Sequence, residues 1–172
     1  MQKRTIKITV AITILGIIAF LGYKIVSQTQ EKNAIANHIQ TIPEFRLQTL
    51  NNTPFTKASL KNKPVVFLYF NSECDYCHHE AQSISNNSNK LNNVQLIFVS
   101  IEPVKKIKAF SERYDLHKHP GITFLYDSAD SFSKQFYVPS VPYVLIYDKE
   151  QNLIKTHAGQ LKAEGIIKAL NK

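Results

Sequence analysis

Cys74 and Cys77 are the only thiols in this 172-residue chain, and they lie in "VVFLYFNSECDYCHHEAQ" with Asp75 and Tyr76 between them. Such a pair suits three chemistries: disulfide exchange, half of a metal site, or a structural staple. Two intervening residues let both sulfurs meet when the first cysteine sits at a helix N-terminus and the second enters the helix. The helix end then supplies partial positive charge and free N–H groups, which favour a thiolate at Cys74. A partly exposed Cys74 thiolate can attack a disulfide, and Cys77 can resolve the product. Nearby charge tunes this chemistry. Glu73 and Asp75 disfavour the thiolate, whereas His78 and His79 favour it when protonated.

The other two chemistries fit less well. Zinc sites draw on a second cysteine pair or paired histidines, and no further cysteine follows. A disulfide across so few residues closes a tiny loop and stabilises little.

The surrounding elements must place the pair. "VVFLYF" (65–70) is a continuous apolar, β-branched and aromatic run, the pattern of a central strand buried on both faces. The helix that starts near the cysteines carries Ala81 and Ile84. "VQLIFVS" (94–100) predicts a second buried strand, and "VKKIKAFSERY" an amphipathic helix with Val104, Ile107, Lys108 and Phe110 at helical spacing. "ITFLYD" and "YVLIYD" predict two further strands separated by the short helix "SADSFSKQFY". "NLIKTHAG" is expected to pair antiparallel with "YVLIYD", and "LKAEGIIKALNK" closes the chain as a helix. With "FRLQTL" (45–50) as an early strand, this order predicts an α/β domain: a mixed central sheet flanked by helices on both faces.

The N-terminus is different in kind. Lys3, Arg4 and Lys7 precede the uncharged "ITVAITILGIIAFLGY" (8–23), which Lys24 closes. That pattern predicts an N-terminal transmembrane helix within residues 1–26, its start cytoplasmic and the rest outside. Residues 27–43 read as a polar stalk and 44–172 as the globular domain. Outside the cytoplasm no glutathione pool keeps thiols reduced, so the pair meets disulfide-bonded partners. The formal net charge of +8 is scattered, with no basic stripe interleaved with aromatics, which argues against nucleic-acid binding.

Two separated motifs together carry a family resemblance. "FRLQTLNNTPFTKASLKNKPVVFLYFNSECDYCHHE" and the later "VPSVPYVLIYDKEQNLIKTHAG" resemble the thioredoxin-like redoxins, most of all the membrane-anchored, TlpA-like thiol–disulfide oxidoreductases. The resemblance covers about residues 43–172. It implies a thioredoxin-like fold, a redox-active Cys74–Cys77 disulfide with no other cofactor or metal, and a cis Val141–Pro142 bond facing the pair. The Val141 backbone would then pair with a partner's extended chain, beside Glu73 and Tyr76 as further substrate contacts. Glu80, one helical turn past Cys77, becomes the candidate proton carrier, because the buried strand Asp of thioredoxins is Leu68 here.

Partners implied are protein thiols and disulfides, apocytochrome cysteines among them, and an upstream redox protein. The implied setting is a monomer on a bacterial inner membrane with a periplasmic domain. Glu73 stands where this family usually has Trp, and the usual helix proline is absent. A peroxiredoxin would place Thr where Asn71 stands. The non-enzyme alternative is a copper-delivery redoxin using both cysteines and a histidine such as His117 or His119.

Overall fold

The computed structural model describes residues 2–171, with side chains described for 16–30 and 34–171. The chain divides into two units, meeting between His38 and Ile39. The first is one helix, α1 (Gln2–His38). Among the described residues no helix is long and apolar enough to cross a membrane. Half of the stretch predicted as an anchor, residues 8–15, has side chains outside that description.

The second unit is built on seven strands: β1 (Arg46–Thr49), β2 (Pro54–Thr56), β3 (Val65–Tyr69), β4 (Gln95–Ser100), β5 (Ile122–Tyr126), β6 (Tyr143–Tyr147) and β7 (Leu153–Ala158). They form one sheet in the order β2-β1-β5-β4-β3-β6-β7. β3, β4 and β5 run parallel, and every other neighbouring pair is antiparallel. The helices are α2 (Asp75–Asn86), α3 (Val104–Arg113), α4 (Ser131–Gln135) and α5 (Ala163–Leu170).

All five β3 residues are buried. Successive side chains in a strand point to opposite faces, so this apolar run feeds two cores. On one face Val66, Leu68 and Phe70 share a cluster with Cys77, Ala81 and Ile84 of α2, Ile107 and Phe110 of α3, and Ile166 of α5. On the other, Phe67 meets Phe132 and Phe136 at 5.3 Å each and Phe45 at 5.6 Å. Each fully buried side chain of this size contributes roughly 1.5–3 kcal/mol. The mixed sheet with helices on both faces agrees with the sequence pattern.

Two details differ from it. Lys108 is solvent-exposed, and the buried residues of α3 are Ile107, Phe110 and Ser111. The stretch 27–43, polar and weakly helical by its residues, is helical as far as His38. Its last residues fold into the globular unit, because Ile39 and Ile42 are buried and Thr41 bridges Asn152 at the β6–β7 turn.

Candidate active site

The site forms where β3 gives way to α2. Phe70 N–H still reaches the Val99 carbonyl at 3.0 Å, and the chain then turns. Cys74 N–H donates to the Asn71 carbonyl at 3.2 Å, and Glu73 N–H to the Asn71 side chain at 2.8 Å. This turn makes Cys74 the residue that opens α2, with extended backbone and no side-chain cap. Its carbonyl accepts the first helical bond, from His78 N–H at 3.1 Å. The unsatisfied N–H groups of the first helical turn therefore lie beside the Cys74 thiol. Cys74 is half-buried, Cys77 is buried, and the two are unbonded thiols.

The inward stripe of α2 is Cys77, Glu80, Ala81 and Ile84, spaced i, i+3, i+4, i+7. A glutamate in an apolar stripe is rare unless it is paired. Glu80 is only 1% exposed, and its Oε1 accepts the Leu161 N–H at 2.9 Å. Burial pushes its carboxyl up to about 8, although the Leu161 bond pulls the other way. Burial also pushes the Cys77 thiol far up, and the Cys74 thiol and Glu80 add to that, against a backbone hydrogen bond from Asn71. Leu68 is fully buried, so the strand supplies no carboxylate here.

Glu73 is not a bare charge beside the thiol. Lys106 meets it at 2.5 Å and holds its carboxyl below the usual range. Lys106 also faces Glu102 at 3.6 Å. Glu102 is buried and accepts both Ser72 groups, the N–H at 2.5 Å and the hydroxyl at 2.8 Å. Ser72, Glu102, Lys106 and Glu73 thus close a ring that ties the Cys74 loop to the start of α3. His78 turns to the same side, with Nδ1 2.7 Å from the Tyr114 hydroxyl and its ring against Phe110. Sequence reasoning missed Ser72, Glu102 and Lys106. The available signal was the i, i+4 spacing of Glu102 and Lys106.

Glu102→Ala is expected to cost about 1–3 kcal/mol, because the Ser72 donors lose their acceptor. Glu102→Gln should recover part of this, since its amide oxygen still accepts one bond. Urea unfolding of both variants checks the order.

The Val141–Pro142 bond is cis, with Val141 exposed and Pro142 buried. In the β3–β6 register Tyr69 faces Tyr143, so Val141–Pro142 and the Asn71–Cys74 turn leave the sheet at the same end. Tyr76, between the cysteines, is exposed. The structure thus brings Cys74, Cys77 and Glu80 together within the first two turns of α2 and places Glu73, Tyr76, Val141 and Pro142 at one end of the sheet. It does not bring His117 or His119 to the pair: His117 Nδ1 lies 3.4 Å from the Ser111 carbonyl. Among the described residues no group of three or more His, Cys, Asp or Glu side chains is placed to hold a metal ion.

A parallel-strand junction carrying Cys-x-x-Cys at a helix N-terminus, with a cis-proline at the same sheet end, defines a thioredoxin-like thiol–disulfide oxidoreductase. Residues 39–156 match the family model described as the AhpC/TSA family, and the chain belongs to that family. An uncharacterized protein of Haemophilus influenzae is 30% identical over 130 residues, spanning 73% of this chain and 83% of that protein. Thioredoxin-like protein YneN of Bacillus subtilis is 23% identical over 155 residues, 87% of this chain and 88% of that one. Among solved structures, a secreted Mycobacterium tuberculosis disulfide oxidoreductase homologous to E. coli DsbE superposes with a TM-score of 0.63. It is 22% identical, over 77% of this chain and 96% of that one.

Proposed function

We propose that this chain is a membrane-anchored, extracytoplasmic oxidoreductase that reduces disulfides in protein substrates. The observation that carries the site assignment is the buried Glu80 carboxyl one helical turn beyond the buried Cys77 thiol, behind a half-buried Cys74 that opens the helix. In the reaction the Cys74 thiolate attacks one sulfur of a partner disulfide. A Cys74–partner bond forms as the partner's S–S bond breaks, and the departing partner sulfur leaves as thiolate and takes a proton from water. Cys77 then gives its proton to the Glu80 carboxylate and attacks the Cys74 sulfur, releasing the second partner thiolate. The partner gains two electrons, and Cys74–Cys77 becomes a disulfide that an upstream dithiol protein reduces again.

One feature supports the reducing direction. Strong oxidants of this class stabilise their reduced form as thiolate, whereas here burial holds Cys77 protonated. Val141, Pro142, Glu73 and Tyr76 are the substrate contacts in this reading, and membership of the redoxin family together with the likeness to a thioredoxin-like protein supports protein disulfides as the substrate class. The anchor rests on the uncharged run of residues 8–23 and on exposed Ile17, Ile18, Phe20, Leu21, Ile25 and Val26 along α1. It implies a bacterial inner membrane and a periplasmic catalytic unit acting as a monomer. The copper-delivery alternative gains no support from the placement of His117 and His119.

Equilibration against glutathione or dithiothreitol couples tests the direction. A potential of about −220 mV or lower is expected, and one near about −120 mV, the range of a strong oxidant, contradicts the reading. Cell fractionation tests the anchor: intact chain in the membrane pellet is expected, and a soluble product beginning after residue 20 contradicts it.

A further inference from the structure

Along α3, Lys106, Phe110 and Arg113 follow one another at i, i+4 and i+7, so they share one face. That face looks onto the loop carrying Cys74. With Ser72, Glu73, His78 and Ala109 it lines an open cleft of about 310 Å³. The buried Phe110 ring gives the cleft an apolar wall, packed against the His78 ring at 5.4 Å. Its cations are Lys106 and Arg113. Lys106 is engaged by Glu73 and Glu102, but among the described residues Arg113 enters no ion pair. His78 commits Nδ1 to Tyr114 and keeps Nε2 as its remaining polar atom.

We propose that this cleft is a subsite for an acidic side chain flanking the cysteine of the polypeptide whose disulfide Cys74 attacks. Arg113 is its main contact, and Glu73 competes from within the protein for Lys106. The inference rests on the oxidoreductase reading above and adds a substrate preference to it.

Three considerations lead to this assignment. The cleft begins at Ser72 and Glu73, next to the attacking thiol, so a side chain one or two residues from the partner cysteine is within reach: consecutive Cα atoms lie about 3.8 Å apart. A guanidinium beside an apolar ring suits a carboxylate, which it can grip with two parallel hydrogen bonds. The site also already holds a carboxylate of the kind proposed, because Glu73 sits on Lys106 at 2.5 Å. Lys105 and Lys108 project from the same helix but do not line the cleft. Exposed ion pairs are weak, so the preference should be modest, about two- to fivefold in rate.

The test uses the full chain in detergent micelles, reduced, and two end-capped peptide disulfides. They are identical except that the residues flanking cysteine are Glu in one and Gln in the other. The chain has no Trp, so oxidation of Cys74–Cys77 is followed by acid quench, thiol labelling and mass spectrometry. The Glu peptide is expected to react about two- to fivefold faster than the Gln peptide. Arg113→Gln should bring that ratio close to one, Arg113→Lys should restore part of it, and Glu73→Gln should raise it by releasing Lys106. Lys108→Gln, the same charge change outside the cleft, should leave it in place. A wild-type ratio of one overturns the proposal. So does a ratio that survives Arg113→Gln, or one that Lys108→Gln lowers equally. If neither peptide oxidises the reduced protein, the oxidoreductase reading fails and the subsite falls with it. If both react equally, only the subsite falls.

Discussion

Cys74→Ser is expected to abolish disulfide exchange, lowering the rate of insulin reduction by about a thousandfold or more. The attacking species is a thiolate, and a serine hydroxyl at the same helix N-terminus stays protonated and far less nucleophilic. Nothing else at the site can take over. Cys77 is buried, and its thiol is held protonated by that burial, by the neighbouring Cys74 and by Glu80. The loss should occur without loss of the fold, because Cys74 opens α2 and a serine opens a helix at least as well. Insulin turbidity assays on folded variant and wild type read the effect. Retention of more than a few per cent of the rate by the Ser variant would show that Cys74 is not the attacking thiol.

Glu80→Gln has the second largest expected effect, and it shows in both stability and rate. The Glu80 carboxyl titrates at about 8 in the fold, against an ordinary value of 4.5. The folded protein therefore keeps this proton over a pH range in which the unfolded chain has already released it. The stability linked to the group is full below about pH 4.5 and is lost as pH rises through about 8. Over that window the change is on the order of 3–5 kcal/mol. Glutamine stays neutral throughout, and its oxygen can still accept the Leu161 N–H. The Gln variant should match wild type near pH 5 and be clearly the more stable of the two at pH 9. Urea unfolding of the reduced proteins at both pH values checks this. The same substitution removes the group that takes the Cys77 proton, so resolution of the mixed disulfide should slow by about tenfold to a hundredfold. The rise of exchange rate through about pH 8 should disappear with it. An unchanged pH profile would leave Glu80 as a structural side chain alone.

Much of this could be read from the residues, for identifiable reasons. "VVFLYF" announced a strand buried on both faces because no polar residue interrupts it, and β3 lies inside the sheet with every side chain buried. The hairpin of β6 and β7 and the closing helix α5 followed from pattern and turn residues. Glu80 was legible as sharing a face with Cys77, because three residues is close to one helical turn. That it would be almost fully buried was not, since burial depends on Leu161 and the chain after β7 closing over α2.

The ring through Ser72, Glu102, Lys106 and Glu73 was illegible for a similar reason. Its members come from the loop after β3 and, about thirty residues on, from the loop after β4 and the first turn of α3, brought together because β3 and β4 are parallel neighbours that end side by side. Glu73 beside the attacking thiol is an odd choice in the sequence. In the structure it is a carboxylate held by Lys106 at 2.5 Å rather than a bare charge. Ile39 and Ile42 looked like parts of a polar stalk because their neighbours are polar; their burial depends on the β6–β7 turn far along the chain.

The central claim is that Cys74 attacks a partner disulfide and Cys77 resolves the product. Trapping tests it most directly: Cys77→Ser is expressed in the native membrane, free thiols are blocked with alkylating agent, and adducts are resolved on non-reducing gels and by mass spectrometry. Discrete adducts joined through Cys74, absent from Cys74→Ser and released by reductant, are the predicted result. No adduct from Cys77→Ser, or the same adducts from Cys74→Ser, would contradict it.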